Sequence, residues 1–337
     1  MKSISIISPV YREAEGIELF HRRLTSILDG LRDRYRFHVL YVLDKSPDSS
    51  EEILSRICAA EEGVSTLVLS RRFGHQPSLL AGIDHALGDA LIMLDSDLQH
   101  PPELIPAMLE KYEAGADIVQ MVRKDGRDVG FMKRSSAEWF YRTLAKVASV
   151  SIPAGAADFR LLSHRVAAIF RNHIREQNQF LRGLVSWVGF DVSYIPFACE
   201  PRLHGSTKYR LSTLFSFAID GICSFSKTPL HICAFTGIGI AIFSLLLTIL
   251  QIVVYLFSEV SVPGWVTLMT GTFLIGGLQL FFLGVVGEYV SLVFDEVKRR
   301  PHYLVNRVYG ELAGERADGQ KPTSALTWAP ADEPVPR

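Results

Sequence analysis

From Ser3 to Val122 the chain alternates short apolar runs with segments whose apolar residues recur every three or four positions. The runs Ser3–Val10, Phe37–Leu43, Ser65–Leu69, Ala90–Leu94 and Asp117–Val122 have the length and composition of strands. The segments between them, Glu15–Leu31, Ser50–Glu62, Gln76–Leu87 and Pro102–Ala114, carry the helical period. Strand–helix alternation of this kind predicts right-handed crossovers and an α/β fold whose mostly parallel sheet is covered on both faces. Pro101-Pro102-Glu103 marks a helix start, since proline fits the first turn and the acid complements the helix dipole.

The pattern changes towards the C-terminus. His231 to Phe257 and Val266 to Gly287 contain no Asp, Glu, Lys or Arg. Each is long enough for a hydrocarbon core of about 30 Å, which takes about 20 apolar residues. They predict a two-helix transmembrane hairpin over about 231–257 and 266–290. Lys208, Arg210 and Lys227 precede the first span, Lys298, Arg299 and Arg300 follow the second, and the link between them has no basic residue. The excess of basic residues on both flanks predicts a multi-pass protein of the cytoplasmic (inner) membrane, with its N-terminal soluble domain and both termini in the cytosol. Leu211–Ser226 has the pattern of an amphipathic helix, lying on the bilayer surface or turned towards a core. The expected organisation is a cytosolic domain over 1–210, a juxtamembrane helix over 211–228, the hairpin over 229–295 and a cytosolic tail over 296–337, aperiodic and disordered after about 313.

Composition narrows the function classes. The net charge of −1 gives no global field that would favour nucleic acid. The four cysteines have no C-x-x-C spacing, which argues against a zinc site or a disulfide framework. The N-terminal apolar run is too short for a signal peptide and reads as a first strand. No G-x-G-x-x-G follows that strand, so dinucleotide binding loses its main support.

Chemistry concentrates at Asp95-Ser96-Asp97, where the apolar run Ala90–Leu94 ends. Two carboxylates at i and i+2 at the end of a buried strand can share one Mg²⁺ or Mn²⁺, completed by substrate phosphates; a solvated loop and helix cap is the other reading. Ligands of open α/β sheets lie at the carboxyl ends of the strands. There a divalent cation would clamp the diphosphate of a nucleotide-sugar donor, with Gln99 on a coordinated water or a phosphate oxygen. Pro9, Tyr11 and Asp44, at the ends of the first two strands, would hold the nucleotide; Asp44 also suits a plain turn. The basic cluster Arg123, Arg127, Lys133 and Arg134, with Ser136, could hold a lipid phosphate carrying about −1.5 to −2 charges, or serve general headgroup attraction. Asp158 is the natural catalytic carboxylate, acting as proton acceptor, orienting a substrate or pairing with Arg160.

With these residues assembled, the chain resembles the family 2 glycosyltransferases of GT-A fold. The resemblance is to the polyprenyl-phosphate branch that includes dolichol-phosphate mannose synthases and bacterial bactoprenol glucosyl transferases. The matching motifs are Ser8-Pro9-Val10-Tyr11, Ser70-Arg71-Arg72-Phe73-Gly74-His75-Gln76, Asp95-Ser96-Asp97-Leu98-Gln99-His100-Pro101-Pro102-Glu103, Ala157-Asp158-Phe159-Arg160-Leu161, Phe180-Leu181-Arg182-Gly183 and Gly205-Ser206-Thr207-Lys208-Tyr209. It implies a Rossmann-like GT-A domain and inverting transfer of one sugar from a nucleoside-diphosphate sugar to polyprenyl (undecaprenyl) phosphate for cell-envelope glycan modification. It places Asp95, Asp97 and Gln99 on metal and diphosphate positions, Asp158 on the acidic position proposed as catalytic beside Asp97, and Arg123 and Lys133 on the acceptor phosphate. Glu13 falls among the donor-site residues, Arg202 and Lys208 lie in the segment that closes over the donor, and relatives with two C-terminal spans can form tetramers. Transfer to another lipid, such as diacylglycerol, or a non-catalytic membrane scaffold are the competing functions. Two departures stand out: Tyr11 is followed by Arg12-Glu13 where many relatives carry Asn and Glu, and the usual Asp-Asp-Gly-Ser is Leu43-Asp44-Lys45-Ser46. Gln179-Phe180-Leu181-Arg182-Gly183 lacks the Trp of the processive synthases, which disfavours polymer synthesis.

Overall fold

The computed structural model describes residues 1–124, 153, 155–177, 180–198, 228–257 and 264–312. They divide into two units, the first holding the sheet and the second two long helices.

In the first unit the strands are β1 (Lys2–Val10), β2 (Tyr35–Leu43), β3 (Val64–Leu69), β4 (Ala90–Met93), β5 (Ile118–Lys124), β6 (Ala156–Ser163), β7 (Val192–Ala198) and β8 (Val305–Tyr309). The helices are α1 (Ile17–Asp29), α2 (Ser50–Ala60), α3 (His75–His85), α4 (Ile105–Glu113, entered by a 3₁₀ turn at Pro102–Leu104), α5 (His164–Asn172) and α6 (Leu181–Trp187). The sheet order is β7-β5-β6-β4-β1-β2-β3-β8. β4, β1, β2 and β3 run parallel, as the alternation predicts. β5 does not pair with β4: β6 enters between them, antiparallel to both.

β1 is buried from Ile4 to Val10, as a central strand covered on both faces must be. One face takes Ile17, Phe20, Leu24 and Leu28, the apolar stripe of α1. On the other face α3 lies so close that a Cβ on Gly82 would sit 2.2 Å from Cγ2 of Ile7. Glycine is therefore what lets α3 rest on β1.

The C-terminal segment also contributes to the sheet. Residues 300–312, expected within the cytosolic tail, belong to the sheet unit, because β8 pairs antiparallel with the edge strand β3. Completing an exposed edge hydrogen-bonds backbone groups that would otherwise be left open.

The second unit contains α7 (Thr228–Phe257), of 30 residues, and α8 (Trp265–Lys298), of 34 residues. Within α8, Leu274–Lys298 is long and apolar enough to cross a membrane, with mean hydropathy 1.7. Its large apolar side chains stand exposed, Leu280 by 72% and Leu283 by 69%. Apolar surface of that extent calls for an apolar environment. The expected juxtamembrane helix before Thr228, Arg127, Lys133, Ser136, Arg202, Lys208 and the tail beyond 312 lie outside the described residues.

Candidate active site

Strand order places the site. In the parallel β3-β2-β1-β4 block the order in which strands are added reverses at β1, and ligands of such sheets bind at that switch point, beyond the carboxyl ends of the strands. Tyr11 follows β1 and Asp95-Ser96-Asp97 follows β4 at this crevice. Ser96, buried, donates its hydroxyl to the Pro9 carbonyl at 2.9 Å and ties the two strand ends together. Arg12 and Leu98 adopt left-handed φ of 58° and 63° beside the same crevice. Each costs of order 1–3 kcal/mol, the kind of strain that collects at functional sites.

β6 runs opposite to β4, so its start reaches the same edge. Met93 pairs with Arg160, and two residues nearer the same edge stand Asp95, just past β4, and Asp158, two residues before Arg160 in β6. His75, the first residue of α3, bridges them: its Nε2 lies 3.6 Å from Asp95 Oδ1 and 3.4 Å from Asp158 Oδ2. Burial disfavours the imidazolium, but the Asp158 hydrogen bond and the charges of Asp95 and Asp158 outweigh it and raise the pKa of His75.

Asp158 is buried and saturated with donors. Arg160 reaches Oδ1 at 2.6 Å, and Arg182 reaches both oxygens, at 3.1 and 2.7 Å. Burial alone would raise its pKa; the His75 hydrogen bond and the Arg160 and Arg182 charges hold it well below the usual carboxylate range. A carboxylate stabilised this strongly is a weak proton acceptor.

Asp95 is the opposite case. Its backbone N–H donates to His100 Nδ1 at 3.1 Å, and the His100 ring stacks on Phe159, 5.3 Å between centroids. The side-chain Oδ1 is buried without a hydrogen-bond partner. Its nearest donor, His75 Nε2 at 3.6 Å, is too far for a hydrogen bond, and a buried oxygen in that position suits an oxygen-seeking cation. Asp97 closes a turn by accepting from the Gln99 N–H at 3.1 Å. Among the described residues no three metal-ligating side chains gather. To hold a divalent cation, Asp95 and Asp97 would need substrate oxygens to complete the coordination shell, which is how Mg²⁺ is usually bound.

Asp44, just beyond β2, accepts with its two oxygens from the backbone N–H groups of Phe73 and Gly74 at 2.7 and 2.8 Å. The loop these bonds hold puts Arg72 over the Tyr11 ring, 4.3 Å from its centroid, with Arg12 at 5.5 Å. The Asp44 expected to read a base or ribose thus holds the loop that carries Arg71 and Arg72. Arg123, exposed at the end of β5, donates its N–H to Gly155 O at 2.8 Å.

The structure gathers Pro9, Tyr11, Asp44, Asp95, Asp97 and Asp158 at one sheet edge. Sequence reasoning by residue type misses His75, His100 and Arg182 and names Arg160 only as a partner of Asp158. All four stand in the motifs quoted above, and that placement is the available signal.

Residues 5–170 match the model of glycosyl transferase family 2. An uncharacterized glycosyltransferase of Bacillus subtilis, YkcC, is 38% identical over 91% of this chain and 94% of its own length. The chain belongs to glycosyl transferase family 2. A prophage bactoprenol glucosyl transferase homolog of Escherichia coli is 35% identical to this glycosyltransferase over 90% of the chain and 99% of its own length. The bactoprenol glucosyl transferase of Shigella phage SfII is 35% identical over 90% and 97% respectively. Among solved structures, glucosyl-3-phosphoglycerate synthase of Mycobacterium tuberculosis, with Mn²⁺ and UDP, superimposes at TM-score 0.41 with 17% identity, covering 66% of this chain and 78% of its own.

Proposed function

We propose that this glycosyltransferase moves one sugar, with inversion, from a nucleoside-diphosphate sugar to polyprenyl (undecaprenyl) phosphate at the cytoplasmic face of the membrane. The observation that carries the reading is the Asp95–Asp97 pair at the switch point of the sheet, with an Asp95 oxygen left open. Similarity to bactoprenol glucosyl transferases along nearly the whole chain supports the acceptor class.

Asp95 and Asp97 would hold Mg²⁺ or Mn²⁺ against the donor diphosphate, with Gln99 beside them. When bound, such a cation offsets the charge that grows on the leaving nucleoside diphosphate. Tyr11, Glu13 and the Arg72 loop hold the nucleoside end, and Arg202 and Lys208 belong to the segment that closes over it. Arg123, with Arg127, Lys133 and Ser136, takes the acceptor phosphate. One phosphate oxygen attacks the anomeric carbon from the face opposite the leaving group; the new C–O bond forms as the bond to the nucleoside diphosphate breaks. The acceptor's second pKa is near 6, so its oxygen is already largely ionised at neutral pH and needs no strong base. Asp158 then serves to orient Arg182 and His75 beside the reacting groups. α7 and α8 form a two-span anchor whose basic flanks face the cytosol, and a homotetramer is the expected assembly.

The test is a panel of nucleotide sugars with the full chain in membranes, undecaprenyl phosphate or diacylglycerol, and Mn²⁺ or Mg²⁺, scored for labelled lipid. A product from undecaprenyl phosphate alone is expected. Product from diacylglycerol alone, or no turnover with any donor, would overturn the assignment.

A further inference from the structure

The segment after α8 grips both ends of one stretch of the sheet unit. At the near end, Ser70 N–H donates to the Leu304 carbonyl at 2.9 Å, just as β3 gives way to the loop of Arg71, Arg72, Phe73 and Gly74. At the far end, the buried Tyr303 hydroxyl donates to Asp84 at 2.7 Å, one residue before α3 ends. Arg175 fixes the same carboxylate in a fork at 2.9 and 2.6 Å, and the Tyr303 ring packs edge-on to His85 at 5.8 Å. Gln177 anchors the start of the segment on the Arg300 carbonyl at 2.9 Å, and pairing of β8 with β3 anchors its end.

What lies between the two grips is the donor side of the site. The stretch from Ser70 to His85 supplies the two N–H groups that Asp44 accepts, the arginine over Tyr11, and the histidine that bridges Asp95 and Asp158. α3 has 11 residues, about 16 Å at 1.5 Å per residue, and seats on β1 through Gly82. Gly82 lies two residues from Asp84, so a change in how Asp84 is held alters the seating of α3 on β1 and is carried along the helix to His75. We propose that residues 300–312 are a positioning strap for the donor site, with Tyr303 as a positioning residue that acts through α3 and the Ser70 loop rather than by touching substrate.

The inference rests on the donor assignment above only for its kinetic consequence; its structural part stands alone. The experiment compares the full-length chain with Tyr303→Phe and Tyr309→Phe, the latter removing the strap's bond to Glu51 on α2. Asp84→Asn serves as a second way to weaken the first grip. Amide exchange at Phe73 and Gly74 is read by mass spectrometry, together with donor and acceptor KM. Tyr303→Phe and Asp84→Asn are expected to speed exchange at these two amides and raise donor KM about threefold to tenfold. Acceptor KM stays put, and Tyr309→Phe leaves exchange and both KM values at wild-type levels. Unchanged exchange at Phe73 and Gly74 in Tyr303→Phe, whatever its thermal stability, overturns the proposal, as does equal speeding by Tyr309→Phe. If wild type turns over no nucleotide sugar the donor assignment falls, while exchange still decides the strap.

Discussion

Replacing Asp158 with Asn separates an electrostatic hub from a chemical base. The amide keeps the shape of the side chain and loses the charge that balances Arg160, 1% exposed, and Arg182, about a third exposed. Removing one partner of a buried ion pair costs about 3–5 kcal/mol, because the remaining charge stays buried without compensation. Arg160 keeps its bonds to the Ala157 and Leu181 carbonyls, which puts the expected cost at the lower end, near 3 kcal/mol. For a sheet unit of this size 1 kcal/mol moves Tm by about 2–4 °C, so the variant is expected to melt roughly 6–12 °C below wild type. Thermal unfolding of the detergent-purified chain measures this. Arg182→Met provides a cycle: combined with Asp158→Asn it should cost less than the sum of the two, by about 1 kcal/mol or more. Turnover falls in the same variant because Arg182 and His75 lose their common anchor. If turnover vanishes while Tm stays within about 2 °C of wild type, Asp158 acts on a proton and the hub argument is wrong.

The other expectations are shorter. Asp95→Asn and Asp97→Asn should each cut turnover by more than about a hundredfold and abolish Mn²⁺-dependent nucleotide binding measured by calorimetry; retained binding would place the cation elsewhere. Arg123→Ala should raise acceptor KM about tenfold and leave donor KM alone, since an arginine fork on phosphate is lost; the opposite split moves Arg123 to the nucleotide side. Gly82→Ala must push α3 off Ile7, at a cost of about 1–3 kcal/mol seen as a lower Tm. Burial lowers the pKa of His85, so the folded protein keeps it neutral while the unfolded chain protonates near pH 6.5. Its contribution is complete above about pH 6.5 and is lost as pH falls from there through the folded value. A Tm difference between wild type and His85→Gln that shrinks between pH 8 and 5 is expected; a constant difference would contradict the assignment.

The first 122 residues were readable because β1, β3 and β4 are buried almost throughout and α1, α2 and α4 bury one face, so hydrophobic pattern and fold coincide there. The later strands hid for separate reasons. β6 carries Asp158 and Arg160 inside a fully buried strand, and two charges among eight residues break the apolar run that marks a strand. β7 contains Pro196, which suits only an edge. β8 is five residues long with Asn306 and Arg307, an edge strand whose identity lies in its partner rather than in its own pattern. The site divides the same way. Carboxylates at strand ends are local and were legible, whereas the contacts of His75 and Arg182 with Asp158 depend on which strand inserts beside β4, a long-range choice that no local spacing records.

That insertion also decides which acid does what. Asp95 and Asp158 sit at matching positions on neighbouring strands, 3.6 and 3.4 Å from one imidazole nitrogen, and by residue type they are interchangeable. Environment splits them. Asp158 has two guanidinium groups and an imidazole on its two oxygens, so nothing else can bind it without displacing a charge already paired. Asp95 has a backbone N–H fixed by His100 and an Oδ1 with no hydrogen-bond partner, and its carboxylate meets only the longer 3.6 Å contacts to His75 and His100, so it is oriented but far less committed than Asp158. A ligand carboxylate needs those properties, and a structural hub needs the reverse. Opposed environments for paired carboxylates are the usual way one site assigns two roles. On the proposed reading the cation would sit with Asp95, and the loss in Asp95→Ala should not be rescued by the nearby Asp158, because freeing that carboxylate would leave Arg160 buried with an unbalanced charge.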